Sequence, residues 1–245
     1  MSEPVVLKLG GSVVTEKSTP ETIAHDQLET LAADVAAFDG SLVVIHGGGS
    51  FGHHHASAHG VSRTEGTRDA AAVRAVTGAM RELNDAVVGA LAAAGTPAVP
   101  VHPFSVASRD DEGTLSLPTG AVAGMLTAGF VPVLHGDLVV HAGEGATVLS
   151  GDELVTELAR RLDAARVGVC SGVPGVLDEA GDVVERIDSY EEVAAALGGS
   201  DATDVTGGMA SKVRELLALS APAYVFDADG VGPFLAGESP GTRIN

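Results

Sequence analysis

The sequence contains three lysines, Lys8, Lys17 and Lys212, and each lies near a glycine-rich turn. Lys8 interrupts an apolar run that ends at Gly10-Gly11-Ser12, and Lys17 follows in the next polar loop. A lysine in a buried strand is costly unless it reaches an anion. Lys212 lies in the first turn of a predicted helix. The positive N-terminal end of a helix disfavours a cation there, unless the cation and the helix end bind the same anion. The lysines therefore indicate a phosphate site, whereas chance would scatter them over the surface.

A second glycine-rich stretch, residues 46–53, follows the apolar run 42–45 and reads His-Gly-Gly-Gly-Ser-Phe-Gly-His. Glycine leaves the backbone uncovered, so several N–H groups can approach an anion, and a following helix adds its positive N-terminal end. This pattern predicts a phosphate cradle at the carboxyl end of a strand, with His53 at its rim. A glycine turn without chemical function is the alternative.

Four histidines lie within residues 53–59 and raise the alternative of a metal site. Neighbouring histidines point in different directions, and no nearby cysteine or carboxylate completes a ligand set. We therefore expect one functional histidine among polar loop residues. Val73, Val76 and Met80 lie on one stripe of the helix predicted at 69–94. They either pack in the core or form the wall of a pocket for an apolar substrate.

The 245 residues carry 14 basic and 33 acidic side chains, for a net charge of −19. So acidic a surface repels nucleic acid and anionic membranes, and we expect neither as a partner. Because salt screens the self-repulsion, the acidity predicts a protein that works in high salt. The single cysteine, Cys170, excludes an internal disulfide. Without a signal peptide or an apolar run of membrane length, we expect a cytoplasmic protein.

Two strand–glycine–helix units in the first fifty residues predict a parallel sheet built from βαβ units. Asp152 opens a helix predicted at 153–162, either as its N-cap or as an acid that holds lysines in position. The other predicted helices are 22–38, 119–127, 188–197 and 210–219. Further strands are predicted at 98–101, 130–134, 166–170 and 223–226, with a hairpin over 138–149 and a glycine- and proline-rich tail after the last strand.

Four motifs carry a resemblance to a known family: residues 8–12, residues 46–53, Ser150-Gly151-Asp152, and Thr206-Gly207-Gly208-Met209 followed by Lys212. In this order, and over essentially the whole chain, they resemble the amino acid kinase family. The histidine that ends the second motif is similar to that of members that phosphorylate isopentenyl phosphate. The resemblance implies a three-layer αβα sandwich around a mostly parallel open sheet. It also implies an N-terminal lobe, 1–149, for the acceptor and dimerisation, and a C-terminal lobe, 150–245, for ATP.

The implied reaction transfers a phosphoryl group from ATP, with Mg²⁺, to isopentenyl phosphate, in a homodimer. An acceptor phosphate is itself a nucleophile, so the reaction needs positioning and charge neutralisation rather than a general base. The resemblance implies that Lys8 and Lys17 contact the transferring phosphoryl group and that Lys212 holds the β- and γ-phosphates. It further implies that Asp152 orients Lys8 and Lys212, and that His53 donates to the acceptor phosphate.

The remaining implied binding residues fall into two sets, and no protein metal ligand is among them. On the ATP side they are Gly10, Gly11, Ser12, Gly49, Ser171, Gly172, Gly175, Gly207 and Gly208. On the acceptor side they are Gly47, Gly48, Gly49 and Gly151, with Val73, Val76 and Met80 as an apolar wall. Many family members have an acidic loop where this chain has residues 170–175, which leaves the residues that contact the base open.

Other functions stay open at this point. Uridylate as acceptor would need polar groups that read its base, and acetylglutamate would need a cation for its carboxylates. The apolar stripe and His53 disfavour both acceptors, whereas a phosphonate acceptor is compatible with them. Carbamate is a further acceptor that enzymes of this fold could use. A non-catalytic nucleotide or oxyanion sensor on the same fold would not need all three lysines.

Overall fold

The computed structural model describes residues 3–197 and 208–245. Up to residue 127 the elements are β1 (Val5–Leu9), α1 (Gly11–Val14), α2 (His25–Ala36), β2 (Leu42–His46), α3 (Gly49–Ala58), α4 (Ala70–Ala93), β3 (Ala98–Pro100), β4 (Ser108–Arg109), β5 (Leu115–Ser116) and α5 (Gly120–Thr127). They are followed by β6 (Val131–His135), β7 (Asp137–His141), β8 (Gly145–Leu149), α6 (Gly151–Arg161), β9 (Arg166–Cys170), β10 (Arg186–Ile187), α7 (Ala194–Leu197), α8 (Gly208–Leu217), β11 (Ala223–Phe226), α9 (Val231–Leu235) and β12 (Thr242–Ile244).

The main sheet formed by these ranges has the strand order β10-β12-β11-β9-β1-β2-β6-β3. Its pairs are parallel except for β11 with β12, which confirms the predicted mostly parallel sheet. Leu9 lies level with His46 on one side and with Cys170 on the other. The turns after β1, β2 and β9 therefore meet at one edge, where ligands of open α/β sheets bind.

Helices cover both faces of this sheet, as predicted for a three-layer sandwich. Alternate strand residues point to opposite faces. Val6 and Ile45 pack with α5, α6 and α8 in one core cluster. Leu7 and Val44 pack with α2, α4 and α9 in the other. Because both faces are buried, the central strands read as mostly apolar runs, and Lys8 is the charged residue inside β1.

The sheet is continuous across the two lobes implied by the resemblance. Strand β1 pairs with β2 on one side and with β9 on the other. The implied boundary after residue 149 falls between β8 and α6. A smaller sheet, β5-β4-β7-β8, contains the predicted hairpin. No helix in the described ranges is long and apolar enough to span a bilayer.

Three local predictions are wrong. The histidines at 53–55 lie inside α3, not in a loop, because Phe51 is buried against α4 and holds that helix in place. The helix predicted at 188–197 is split into a 3₁₀ turn, Tyr190–Glu192, and the short α7. The glycine- and proline-rich tail contains α9 and β12, since β12 pairs with β11 and extends the sheet.

Candidate active site

A cavity of about 880 Å³ opens at the sheet edge where β1, β2 and β9 end. It lies between the N-terminal ends of α3 and α6. Its lining includes most of the predicted site residues: Lys8, Gly10, Gly11, Ser12, Lys17, Gly47, Gly48, Gly49, His53, Val76, Met80, Gly151, Ser171 and Lys212. All three lysines of the chain therefore line one cavity, although 204 positions separate Lys8 from Lys212.

Two glycine turns pack directly against each other at this edge. A Cβ on Gly47 would lie 2.6 Å from the backbone nitrogen of Gly11, a separation that real Cβ atoms do not show. A Cβ on Gly11 would clash with the nitrogen of Gly49 in the same way. Gly49 also has a φ of +47°, which other residues rarely adopt. These glycines are therefore required by the contact between the turns as well as by any ligand.

Thr15 connects the two turns through its hydroxyl. Its Oγ1 donates to the carbonyl of Gly11 over 2.8 Å and accepts from the backbone N–H of Ser50 over 3.0 Å. Thr15 is buried, so both hydrogen bonds are shielded from water. The first turn of α3 is thereby fixed relative to β1 without any help from a ligand.

The turns differ in which backbone donors they leave for a ligand. The N–H of Gly10 donates to the carbonyl of Cys170, and that of Gly47 donates to the carbonyl of Leu9. Gly10 and Gly47 therefore line the cavity without a spare amide. The amides of Gly11, Gly48 and Gly49 have no partner within 3–197 and 208–245. They remain as backbone donors.

Lys8 and Asp152 form the buried ion pair at the bottom of the cavity. Lys8 Nζ donates to Asp152 Oδ1 over 2.6 Å, and the two side chains are only 8% and 16% exposed. The helix N-cap is Ser150, whose hydroxyl accepts from the N–H of Glu153 while Glu153 bonds back to residue 150. The capping alternative for Asp152 is therefore wrong, and its carboxylate is free to bind Lys8.

The pKa values of this pair reflect burial and three neighbouring cations. Burial lowers the pKa of Lys8, assisted by the charge of Lys212 and opposed by Asp152. Burial alone would raise the pKa of Asp152, but the charges of Lys8, Lys212 and Arg63 and the hydrogen bond from Lys8 together bring that pKa below its usual value. Asp152 is therefore ionised, and its charge and hydrogen bond favour the charged form of Lys8 against the cost of desolvation.

The other two lysines approach the cavity from opposite sides. Lys212 projects from α8, and Lys17 lies in the exposed loop before α2. A Cβ on Gly172 would be 3.5 Å from Lys17 Nζ and 3.4 Å from Ser12 Oγ. The loop after β9 therefore passes close to the loop that carries Lys17.

His53 and the apolar residues occupy a different part of the lining. His53 is exposed on α3 and faces the cavity together with His54. Val76 and Met80 line the cavity from α4, joined by Val61 and Val148. Val73 is absent from the lining and packs with the small core cluster around Leu138. Val76 and Met80 thus form the predicted apolar wall, whereas Val73 packs behind them in the core.

Five further predicted residues are not among the lining residues or lie outside the described ranges: Asp152, Gly172, Gly175, Gly207 and Gly208. Gly175 is buried, and a Cβ there would meet Val183 and Thr242. Gly208 is the first residue of α8. Gly207 lies outside the described residues.

The sequence interpretation missed three charged residues that line the cavity, Arg63, Glu65 and Asp137. Arg63 is 3.4 Å from Glu153 and 4.0 Å from Glu215, so it joins the loop after α3 to α6 and α8. Asp137 is buried, and burial raises its pKa to about 7. A signal for Asp137 existed in His135-Gly136-Asp137, a polar triplet directly after an apolar strand. Arg63 lies in a segment without any pattern.

The described residues contain no group of three or more histidine, cysteine or acidic side chains that could hold a metal ion. Asp152 is the carboxylate beside the lysines, and Lys8 already binds one of its oxygens. Mg²⁺ is commonly held by one or two carboxylates together with substrate phosphates. The residues present therefore fit a metal that enters with a nucleotide.

The fold and cavity are those of a class of enzymes that bind phosphates at the carboxyl edge of a parallel sheet. The family model "Amino acid kinase family" matches residues 3–226. The chain is 60% identical over 242 residues to "Isopentenyl phosphate kinase" of Haloferax volcanii, covering 98% of each chain. It is 32% identical to the protein of the same name from Methanocaldococcus jannaschii, again over 98% of each.

A solved structure gives the same result for the fold. The chain superimposes on a structure titled "X-ray structures of isopentenyl phosphate kinase" with a TM-score of 0.83 and 29% identity. The match covers 99% of this chain and 100% of that one. This chain belongs to the amino acid kinase family.

Proposed function

We propose that this protein is a kinase that transfers the γ-phosphoryl group of ATP to isopentenyl phosphate, producing isopentenyl diphosphate. The observation that carries the proposal is the position of Lys8, Lys17 and Lys212 around one cavity that also has an apolar wall. Phosphates need the cations, and a short hydrocarbon needs the wall. The curated relatives named above support the same acceptor.

Lys8 is the fixed cation of the proposed mechanism. Its ion pair with Asp152 sets the ammonium group before substrates bind, so little reorganisation is needed when charge moves between the phosphates. Lys17 approaches from an exposed loop and would stabilise the transferring phosphoryl group. Lys212 would hold the β- and γ-phosphates, and Asp152 would balance its charge together with that of Lys8.

The acceptor needs no general base, because its phosphate is an oxygen nucleophile near neutral pH. His53 would donate to this phosphate, and Val76 and Met80 would contact the hydrocarbon. The backbone donors Gly11, Gly48 and Gly49 would bind phosphate oxygens. Mg²⁺, bound with ATP, would neutralise charge on its phosphates. Ser171 and Gly172 would lie along the nucleotide.

An acceptor panel tests the proposal directly. Purified protein is assayed in high salt with ATP and Mg²⁺ against isopentenyl phosphate, uridylate, acetylglutamate, carbamate and a phosphonate. We expect turnover of isopentenyl phosphate with kcat/KM at least about 100-fold above that of the other acceptors. Each of the other acceptors lacks either the phosphate monoester or the short hydrocarbon. Preferential turnover of another acceptor, or none at all, would refute the proposal.

Three further expectations belong to the same proposal. The acidity of the surface, with a net charge of −19, supports activity at molar salt. A homodimer formed through the N-terminal half follows from the family resemblance, and the single cysteine favours a reducing, cytoplasmic setting. Light scattering after size exclusion in high salt would measure the oligomeric state, and a monomer would contradict it.

A further inference from the structure

Two buried histidines end neighbouring strands beneath the cavity. His46 is the last residue of β2 and His135 is the last residue of β6, and they pair in register. Both side chains are fully buried, and their rings stack with centroids 5.6 Å apart. Neither His46 nor His135 takes a direct part in the proposed phosphoryl transfer, although both lie under the glycine turn.

Both ring nitrogens of His46 face an oxygen acceptor, and this arrangement identifies which nitrogen carries the proton. Nδ1 lies 3.0 Å from the carbonyl oxygen of Gly47, and Nε2 lies 3.0 Å from Oδ1 of Asn84. Both partners are acceptors, whereas a neutral imidazole has a single N–H. Burial lowers the pKa of His46, which disfavours the doubly protonated ring. One of the two partners must therefore be a donor.

Asn84 is the partner that can act as a hydrogen-bond donor to His46. The carbonyl of Gly47 has no proton, but an amide turned end for end presents its nitrogen in place of its oxygen. Asn84 is fully buried, and its Nδ2 has no partner among the described residues. After the turn, Nδ2 donates to Nε2 of His46. The unpaired group is then an oxygen, which is the less costly of the two. His46 consequently carries its proton on Nδ1 and donates it to Gly47.

This hydrogen bond determines where the next amide points. In a trans peptide the C=O and the following N–H point in opposite directions. His46 lies on the α4 side of the sheet, so the Gly47 carbonyl turned towards it directs the N–H of Gly48 to the α6 side. On that side, a Cβ built on Gly136 would lie 3.8 Å from the nitrogen of Gly48 and 3.5 Å from that of Gly151. The nitrogens of Gly48 and Gly151 therefore lie around the same small space next to Gly136.

We propose that His46 and Asn84 are positioning residues that hold the N–H of Gly48 in the cavity as a preformed donor to a phosphate oxygen. Gly48 lines the cavity, and its N–H has no partner within the described ranges. Asn84 sets the tautomer of His46, His46 fixes the peptide between Gly47 and Gly48, and that peptide faces the ligand. The identity of the anion as isopentenyl phosphate rests on the proposed function, whereas the tautomer does not.

The first experiment measures the tautomer in the wild-type protein. Imidazole ¹H–¹⁵N correlation spectra of ¹⁵N-histidine-labelled protein are recorded between pH 6 and 8, with His46 assigned through bonds. We expect a neutral ring with its proton on Nδ1 at every pH. A proton on Nε2, or a charged ring, overturns the proposal. The result is independent of turnover, so it remains decisive even if isopentenyl phosphate is not a substrate.

The second experiment follows the Gly48 amide in the same wild-type protein. Isopentenyl phosphate is titrated into ¹⁵N-labelled protein, and the backbone resonances of Gly48 and of Gly10 are compared. We expect the Gly48 amide proton to move downfield as the site saturates, while Gly10, already bonded to Cys170, moves less. A Gly48 resonance that stays in place at saturation overturns the proposed donor.

The third experiment compares His46→Phe with His135→Phe. His135 is equally buried, and its Nδ1 donates in the same way to the carbonyl of Gly136 over 2.9 Å. The residue after Gly136, however, is Asp137, which begins β7 and pairs with Leu149. For His46→Phe we expect kcat/KM for isopentenyl phosphate to fall about 10- to 100-fold, the value of a hydrogen bond to a charged group. For His135→Phe we expect less than about a threefold change at a similar loss of Tm. Equal losses of kcat/KM would mean that His46 acts by packing alone.

Discussion

Two parts of the cavity are built in opposite ways. The floor, consisting of Lys8 and Gly151 with Asp152 paired to Lys8, lies at the ends of central elements, and its ion pair is largely shielded from solvent. The rim, consisting of Lys17 and His53, is exposed, and neither residue forms an ion pair in the described part of the chain. The floor is therefore ordered by the protein, whereas the rim takes its final position from the ligand.

This difference teaches that stability and catalysis are coupled in the floor and separate in the rim. A buried ion pair contributes little net stability, but removing one partner leaves the other charge buried and unpaired. An exposed charge can be removed with almost no effect on folding. Substitutions in the floor should therefore change both activity and stability, whereas substitutions in the rim should change activity alone.

Lys8→Met should have the largest effect. It removes the fixed cation and leaves the Asp152 carboxylate buried, so we expect kcat to fall about 1000-fold and the free energy of unfolding to fall by about 3 kcal/mol. Kinase assays and urea unfolding in high salt measure both quantities.

The matched control is the double variant Lys8→Met with Asp152→Asn. The second change removes the stranded charge, so most of the lost stability should return while the activity stays low. A double variant as unstable as Lys8→Met would show that packing, rather than the unpaired carboxylate, causes the loss.

Lys17→Ala should separate the rim from the floor. We expect kcat to fall about 100-fold, because the cation that we propose contacts the transferring group is lost. The free energy of unfolding should stay within about 0.5 kcal/mol of wild type. Lys17→Arg retains the charge and should recover part of the rate. A loss of stability comparable to that of Lys8→Met would remove the distinction between the two regions.

His53→Ala should affect one substrate only. We expect KM for isopentenyl phosphate to rise about tenfold, the value of one hydrogen bond to a charged group, with KM for ATP unchanged. His59→Ala is the control, because His59 is exposed at the end of the same helix and does not line the cavity. Equal changes in both KM values would contradict the assignment of His53 to the acceptor.

Asp137→Asn should change the pH dependence of stability. Burial raises the pKa of Asp137 from 3.8 to about 7, so the folded protein binds an extra proton between these values. Wild-type stability therefore loses up to about 1.4 kcal/mol per pH unit as pH rises through this window. Asp137→Asn lacks this loss, and its free energy of unfolding should rise relative to wild type from pH 4 to pH 7.

The comparison with wild type isolates Asp137 from its neighbour His135. The pKa of His135 is lowered from 6.5 to about 3, chiefly by burial, so this residue destabilises the fold as pH falls through that range. Both proteins contain His135, so its contribution cancels except for its coupling to Asp137, whose Oδ2 lies 3.9 Å from His135 Nδ1. A difference in stability that is constant from pH 4 to pH 7 would show that Asp137 does not titrate in this window.

Much of the fold follows from short-range patterns that tertiary structure does not override. The helix predicted at 69–94 runs from Ala70 to Ala93 with Asp69 as its N-cap, because a long apolar stripe and a capping residue agree. The histidines of α3 show the opposite case. Their intrinsic preference for helix is modest, and the buried Phe51 decides the conformation through its contact with α4.

By itself, the sequence determined the strands, the glycine turns after them and the three lysines that mark a phosphate site. These are local properties: apolar runs, bare backbone and charges that burial would not tolerate without a partner. Tertiary contacts were needed to show that Gly11 and Gly47 have to be glycines because they touch, and that Arg63 reaches the cavity. They also showed that Asp152, which the resemblance implied as a positioning group, binds Lys8 directly rather than capping its helix. Such contacts depend on which strand ends meet at one edge, and that is set by the pairing of β1 with both β2 and β9.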